Sequence, residues 1–222
     1  KAKELADAND WFLASQFESL ANAEIHQSTT AQEIINDFKG NSLDFIVTGY
    51  GTGGTLTGIG REIKDKLMET KLILSEPENA ALISSGDTQV RNDNGNAIKS
   101  HSAFRAHLIQ GWTPDFIPLV LQESIDHKLY DNIITVTGSE SISASIKLAQ
   151  KEGILTGISG GGTLAAALKL STKVKDKTTI LVILPDSGER YLSTILFDKV
   201  SSEMNNEELA IMKSSPGYQL KN

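Results

Sequence analysis

Seven consecutive residues, Gly49-Tyr50-Gly51-Thr52-Gly53-Gly54-Thr55, hold four glycines and two threonines. They stand between the apolar run Leu43 to Thr48 and a helical pattern at Leu56 to Lys66. A buried strand that turns this sharply into a helix is an anion site in waiting. Glycine permits the turn and leaves backbone N–H groups uncovered, the helix start adds partial positive charge, and threonine hydroxyls can donate to anionic oxygens. The density of glycine and threonine favours that reading over a bare strand-to-helix turn.

The same residues leave a rival open. Gly49, Gly51 and Gly54 satisfy G-x-G-x-x-G, and Glu76 ends the next apolar run about where a ribose-binding carboxylate would stand, so this unit alone could hold a nicotinamide cofactor. The lysine-bearing loop G-x-x-x-x-G-K-[ST] is absent, which argues against ATP or GTP binding of that type.

Further runs repeat the strand, turn, helix order: Ile133 to Val136 and Thr179 to Leu184, with a short run Leu72 to Leu74 after the helix at 56–66. Residues 43 to 76 thus form a candidate βαβ unit with a right-handed parallel crossover. The expected architecture is α/β: three layers, with a doubly wound, mostly parallel sheet carrying helices on both faces. Capping boxes are predicted at Thr30 with Glu33, before Ala31 to Phe38, and at Thr137 with Glu140, before Ser141 to Lys151. Gly86 to Ser102 is polar and aperiodic and reads as a surface loop. Gly157 to Gly162 reads as a second glycine-rich turn ahead of a helix at Thr163 to Leu170, structural rather than ligand-binding.

A net charge of −7 leaves no basic field to displace counterions from a phosphate backbone, so nucleic acid is not an expected partner. Without cysteine the chain has no disulfide, no thiolate nucleophile and no sulfur-based zinc site, in keeping with a cytoplasmic setting. His26, His101, His107 and His127 lack ligand spacing, so no metal is expected. Lys64, Lys66, Lys147 and Lys151 read as solvated helix faces. No apolar run is long enough to span a bilayer, and no membrane association is expected. Position 1 is Lys, and Lys1 to Ala6 reads as the end of a helix, which predicts further sequence upstream.

The remaining motifs are Gln16-Phe17, His26 to Ile34, Ile109-Gln110-Gly111-Trp112-Thr113-Pro114-Asp115-Phe116-Ile117-Pro118, Gly157-Ile158-Ser159-Gly160, and Leu184-Pro185-Asp186-Ser187-Gly188-Glu189-Arg190-Tyr191-Leu192-Ser193-Thr194. In this order, and with Gly51 to Thr55, they resemble the C-terminal part of the cysteine synthase (O-acetylserine sulfhydrylase) family of fold type II pyridoxal-phosphate enzymes. The resemblance runs from Ala2 to Phe197. It implies that Gly51, Thr52, Gly53, Gly54 and Thr55 hold the phosphate of pyridoxal 5'-phosphate, that Ser187 bonds the pyridine nitrogen, and that Gln16 helps hold the substrate carboxylate. A neutral hydroxyl at the ring nitrogen makes a weaker electron sink than a carboxylate would, which suits elimination of a β-leaving group. Read without the family, Ser187 is an N-cap for the helix that follows. Two departures stand out: Gly160 where the family commonly has Ser, and Ser19-Leu20-Ala21-Asn22 where it has Asn-Pro-Ala-Asn. Trp112 either lines the cleft entrance or packs against the loop at Pro114 and Pro118, and packing is the expectation.

The family's Schiff-base lysine matches no lysine here and is expected upstream of residue 1, so this chain is expected to be inactive alone and carries no assigned catalytic residue. The expected division is the end of a mostly missing N-terminal domain at 1–18, a cofactor-phosphate domain at 19–200, and a peripheral tail at 201–222. The implied activity is L-cysteine synthesis from O-acetyl-L-serine and sulfide. Alternatives are a cystathionine β-synthase or β-cyanoalanine synthase type of enzyme, a non-catalytic cofactor-binding or regulatory fragment, and a dehydrogenase. The resemblance also implies a homodimer and docking of the C-terminal tail of serine acetyltransferase.

Overall fold

The computed structural model describes residues 1–214. Helices α1 (Ala2–Asn9), α2 (Ala21–Ser28) and α3 (Thr30–Asp37) lead into strand β1 (Phe45–Gly49), helix α4 (Gly54–Lys66) and strand β2 (Lys71–Pro77). A long irregular segment then reaches α5 (Leu119–Asp126), followed by β3 (Asn132–Val136), α6 (Gly138–Glu152), α7 (Ile158–Ser171), β4 (Ile180–Val182) and α8 (Asn206–Ser214).

The four strands form one sheet in the order β3-β2-β1-β4, and every pairing is parallel. Strand alternation sends the two sides of β1 into different layers. Val47 packs with Ile73, Val136, Ile158 and Ala166 beneath α6 and α7, whereas Ile46 packs with Leu72, Leu74, Ile59 and Ile63 beneath α4. These are the helix, sheet and helix layers of a doubly wound domain.

Element bounds follow local hydrogen bonding. Strand β1 begins at Phe45 rather than Leu43 because Asp44 is occupied as a clamp: its Oδ2 accepts from the Thr179 amide at 2.7 Å. At Thr137 the capping box forms as expected, with Glu140 N donating to Thr137 Oγ1 at 3.1 Å and Thr137 N donating to Glu140 Oε2 at 2.7 Å. The box expected at Thr30 does not form. Thr30 is already helical, Thr29 holds the cap position, and neither hydroxyl is free: Thr29 Oγ1 donates back to Ile25 O at 2.6 Å, while Thr30 Oγ1 pairs with His26 Nδ1 at 2.9 Å.

The second glycine cluster also differs from expectation. Helix α7 starts at Ile158, so Gly160 to Gly162 lie inside it rather than ahead of it. They are glycine because neighbours press on them. A Cβ on Gly161 would collide with the Ser141 carbonyl of α6, and one on Gly160 with Thr156 Oγ1. The hydroxyl that a serine would bring at 160 thus meets space already held by Thr156. Within the segment read as a peripheral tail, α8 has no buried residue, and residues 215–222 lie outside the described residues.

Candidate functional site

The glycine loop leaves the C-terminal end of β1, the edge at which open parallel sheets bind ligands. It is wedged from behind. A Cβ on Gly51 would collide with Gly111 O, on Gly53 it would lie 2.7 Å from Leu121 Cβ, and on Gly54 it would collide with Asn22 Oδ1. Gly53 also has φ +92°, which favours glycine whatever surrounds it. The other side of the loop faces a cavity of about 170 Å³ whose walls include Gly51, Thr55, Ser159, Thr163, Asp186 and Tyr191. A larger open groove of about 860 Å³ runs along β3, α6 and α7 and shares no residue with it.

Helix α2 grips both loop threonines from one face, since Asn22 and His26 are one turn apart. Asn22 Nδ2 donates to Thr52 Oγ1 at 2.8 Å and to the backbone oxygen of Gln16 at 2.8 Å. His26 Nε2 lies 3.2 Å from Thr55 Oγ1, and burial lowers the pKa of the ring, favouring the neutral form. Thr52 Oγ1 also accepts from Gly54 N at 3.3 Å. Its acceptor capacity is therefore used, which leaves its own proton to be donated elsewhere.

On the opposite wall Tyr191 donates to Asp186 Oδ2, and its pKa is raised to about 12 by burial first and the Asp186 carboxylate second. Asp186 Oδ1 is buried without a hydrogen-bond partner. Gly157 lies under this pair: a Cβ there would collide with Asp186 Oδ1 and the Tyr191 ring.

Of the residues singled out in the sequence, Gly51 and Thr55 line the cavity, and Thr52, Gly53 and Gly54 build the loop behind it. Gln16 is exposed and is joined to the loop through Asn22. Ser187 is exposed and outside the cavity lining; it precedes the 3-10 turn Gly188–Tyr191 without a side-chain cap bond. Its hydroxyl instead holds the Glu189 carboxyl below its ordinary range. Trp112 is buried, lines the cavity and lies against Gly49 and Gly162. Asn22, Asp186 and Tyr191 stand within the quoted motifs but were given no site role, although the Asn22 and His26 spacing is readable once α2 is known.

Glu76 cannot serve a ribose. It is fully buried and accepts from Tyr50 Oη at 3.3 Å, Ile83 N at 3.1 Å and Ser84 N at 2.9 Å. Burial, then the Glu76 charge, pushes the Tyr50 phenol well above its ordinary pKa. Among the described residues no cluster of three or more His, Cys, Asp or Glu could hold a metal, and no helix is long and apolar enough to cross a membrane.

A parallel α/β sheet with a glycine loop at the carboxyl end of a strand, opposite a polar wall, is the arrangement in which open α/β domains bind their ligands. Residues 1–186 match the pyridoxal-phosphate dependent enzyme family, and the chain belongs to it. It is 39% identical over 216 residues to the O-ureido-L-serine synthase of Streptomyces lavendulae, covering 97% of this chain and 60% of that protein. It is 44% identical over 211 residues to the cysteine synthase of Buchnera aphidicola subsp. Schizaphis graminum, covering 93% and 61%. The crystal structure of O-ureido-L-serine synthase superposes with a TM-score of 0.80 at 40% identity, over 94% of this chain and 60% of that one. The cysteine synthase of Entamoeba histolytica gives 0.74 at 29% identity, over 96% and 56%. The chain thus spans about 60% of the length of the curated relatives it matches, and its cofactor class is pyridoxal phosphate.

Proposed function

We propose that the polypeptide carrying this chain is a β-replacement enzyme that makes L-cysteine from O-acetyl-L-serine and sulfide, with this chain supplying the cofactor-holding part. The observation that carries the reading is the Thr52 hydroxyl, loaded as an acceptor by Asn22 Nδ2 and Gly54 N so that its proton is free for a phosphate oxygen. Gly51 to Thr55 would hold that phosphate at the N-terminus of α4, where the helix dipole favours an anion. Gln16 would orient the substrate carboxylate, its position fixed through Asn22 to the same loop. Ser187 would bond the pyridine nitrogen from the edge of the cavity, next to Asp186 in its lining. When bound, the cofactor supplies an electron sink for the substrate's α-carbon. The Schiff-base lysine is expected from sequence outside this chain, so the chain alone would bind without turnover.

A second reading, synthesis of O-ureido-L-serine, is favoured by the 39% identity over 216 residues to an enzyme of that name. Both readings use the same holding residues and differ in the second nucleophile. Absorbance titration with pyridoxal phosphate tests the shared part: Thr52→Val is expected to weaken binding about tenfold, the worth of one hydrogen bond to a charged group. Failure of the full polypeptide to bind pyridoxal phosphate would sink both readings. Mass spectrometry of the products from a panel of nucleophiles separates them.

A further inference from the structure

We infer that Trp112 sets the upper size of the nucleophile this site admits, an inference that rests on the β-replacement reading. The indole is driven edge-on between the end of β1 and the start of α7. A Cβ on Gly49 would collide with indole Cε2 and Cζ2, and one on Gly162 would lie 2.8 Å from Cη2. Neither glycine has a positive φ, so the backbone conformation does not call for glycine at either place. Gly162 lies inside a helix, where glycine is unfavourable relative to alanine. What both positions gain is room for the ring.

The turn that delivers the indole is costly and firmly held. Gly111 has φ +85°, and Thr113, a β-branched residue exposed by only 1%, has φ +36°. Backbone in this region persists only where its surroundings over-determine it, and it collects at functional sites. Here Thr113 N donates to Tyr50 O at 2.8 Å, His107 Nε2 lies 3.0 Å from Thr113 O, and Trp112 N donates to Ile109 O at 3.2 Å. The residue is 7% exposed. It is a fixed wall, not a movable lid.

That wall borders the cavity faced by Gly51 and Thr55, whose volume of about 170 Å³ is small against the roughly 300–1,000 Å³ of ordinary small-molecule pockets. A cofactor anchored on the glycine loop would share that space with the indole, since Gly51, Thr55 and Trp112 all line it. The indole would then bound what remains for the nucleophile: sulfide is compatible with it, and a thiol carrying a bulky substituent meets the ring. Selection of this kind works by a built-in clash with the wrong partner.

The test uses the full polypeptide, O-acetyl-L-serine, and sulfide, methanethiol or benzyl mercaptan as nucleophile, with cofactor affinity measured by absorbance for every variant. Trp112→Leu is expected to raise the kcat/KM ratio of benzyl mercaptan to sulfide about tenfold or more, the scale on which pocket volume discriminates. Trp112→Phe, closer in size, should move the ratio in the same direction by less and keeps the test open if the leucine variant does not fold. A purely structural role would lower both rates together and leave the ratio fixed. A ratio unchanged in both variants of an active enzyme overturns the inference and leaves the β-replacement reading standing. A wild-type polypeptide with neither cofactor binding nor turnover overturns both.

Discussion

Asn22→Ala tests the threonine grip most directly. The amide makes 2.8 Å bonds to Thr52 Oγ1 and to the Gln16 carbonyl, and it is only partly buried, so water can replace part of what is lost. Two neutral hydrogen bonds at about 1 kcal/mol each, discounted for that access, give an expected loss of folding stability of about 1 kcal/mol. The larger effect falls on the ligand. Without Asn22 the Thr52 hydroxyl can rotate and is no longer committed to donating forward. The cost in phosphate binding then approaches one charge-assisted bond, roughly 1.5 kcal/mol, or about a tenfold rise in Kd. Absorbance titration with pyridoxal phosphate on wild type, Asn22→Ala, Thr52→Val and the double variant supplies a complete cycle. If Asn22 acts through Thr52, the double variant should bind no worse than Thr52→Val alone, because the shared interaction is counted once. Costs that simply add, or an Asn22→Ala variant within twofold of wild type, would refute the reasoning.

The remaining predictions concern stability. Lys66, then Gln27 and Gln32, hold the Glu62 carboxyl at about 2 against an ordinary 4.5. The folded pKa is depressed, so this contribution is complete above about 4.5 and is lost as pH falls toward 2. Glu62→Gln should flatten the urea midpoint across that window, and an unchanged pH slope would count against the assignment. Glu76→Gln places an NH₂ group where one carboxylate oxygen now accepts from Ser84 N or from Ile83 N and Tyr50 Oη. A buried donor facing a donor costs about 1–3 kcal/mol, read as a lower Tm, and a shift below one degree would show that the segment after β2 readjusts freely.

What could be read from the sequence follows the range of the forces involved. The element order β1-α4-β2 and the capping box at Thr137 depend on residues a few positions apart, and both are visible as patterns in the chain. The failed box at Thr30 depends on where the preceding helix ends: a single residue separates α2 from α3, and His26 takes the hydroxyl first. The dinucleotide alternative had the right glycine spacing, with Glu76 about where a ribose-binding carboxylate would stand. It fails on Glu76, whose burial beneath Tyr50 and the Ile83–Ser84 amides is a tertiary fact with no local signature.

Glycine marks the same boundary from the other side. In the sequence Gly49, Gly51, Gly54 and Gly160 to Gly162 look alike, and local reasoning assigns each to a turn or an anion. In the structure only Gly53 of the first cluster is required by its backbone angle, and the others yield space to Trp112, Gly111, Asn22, Thr156 and Ser141. A glycine loop built this way is specified by what crowds it from behind as much as by what it binds. Asn22 enters the site through that crowding: it packs against Gly54 and from there reaches Thr52. Substitutions on α2 should therefore alter cofactor affinity without touching the cofactor, and the residues that tune this site belong partly to the helix before the strand.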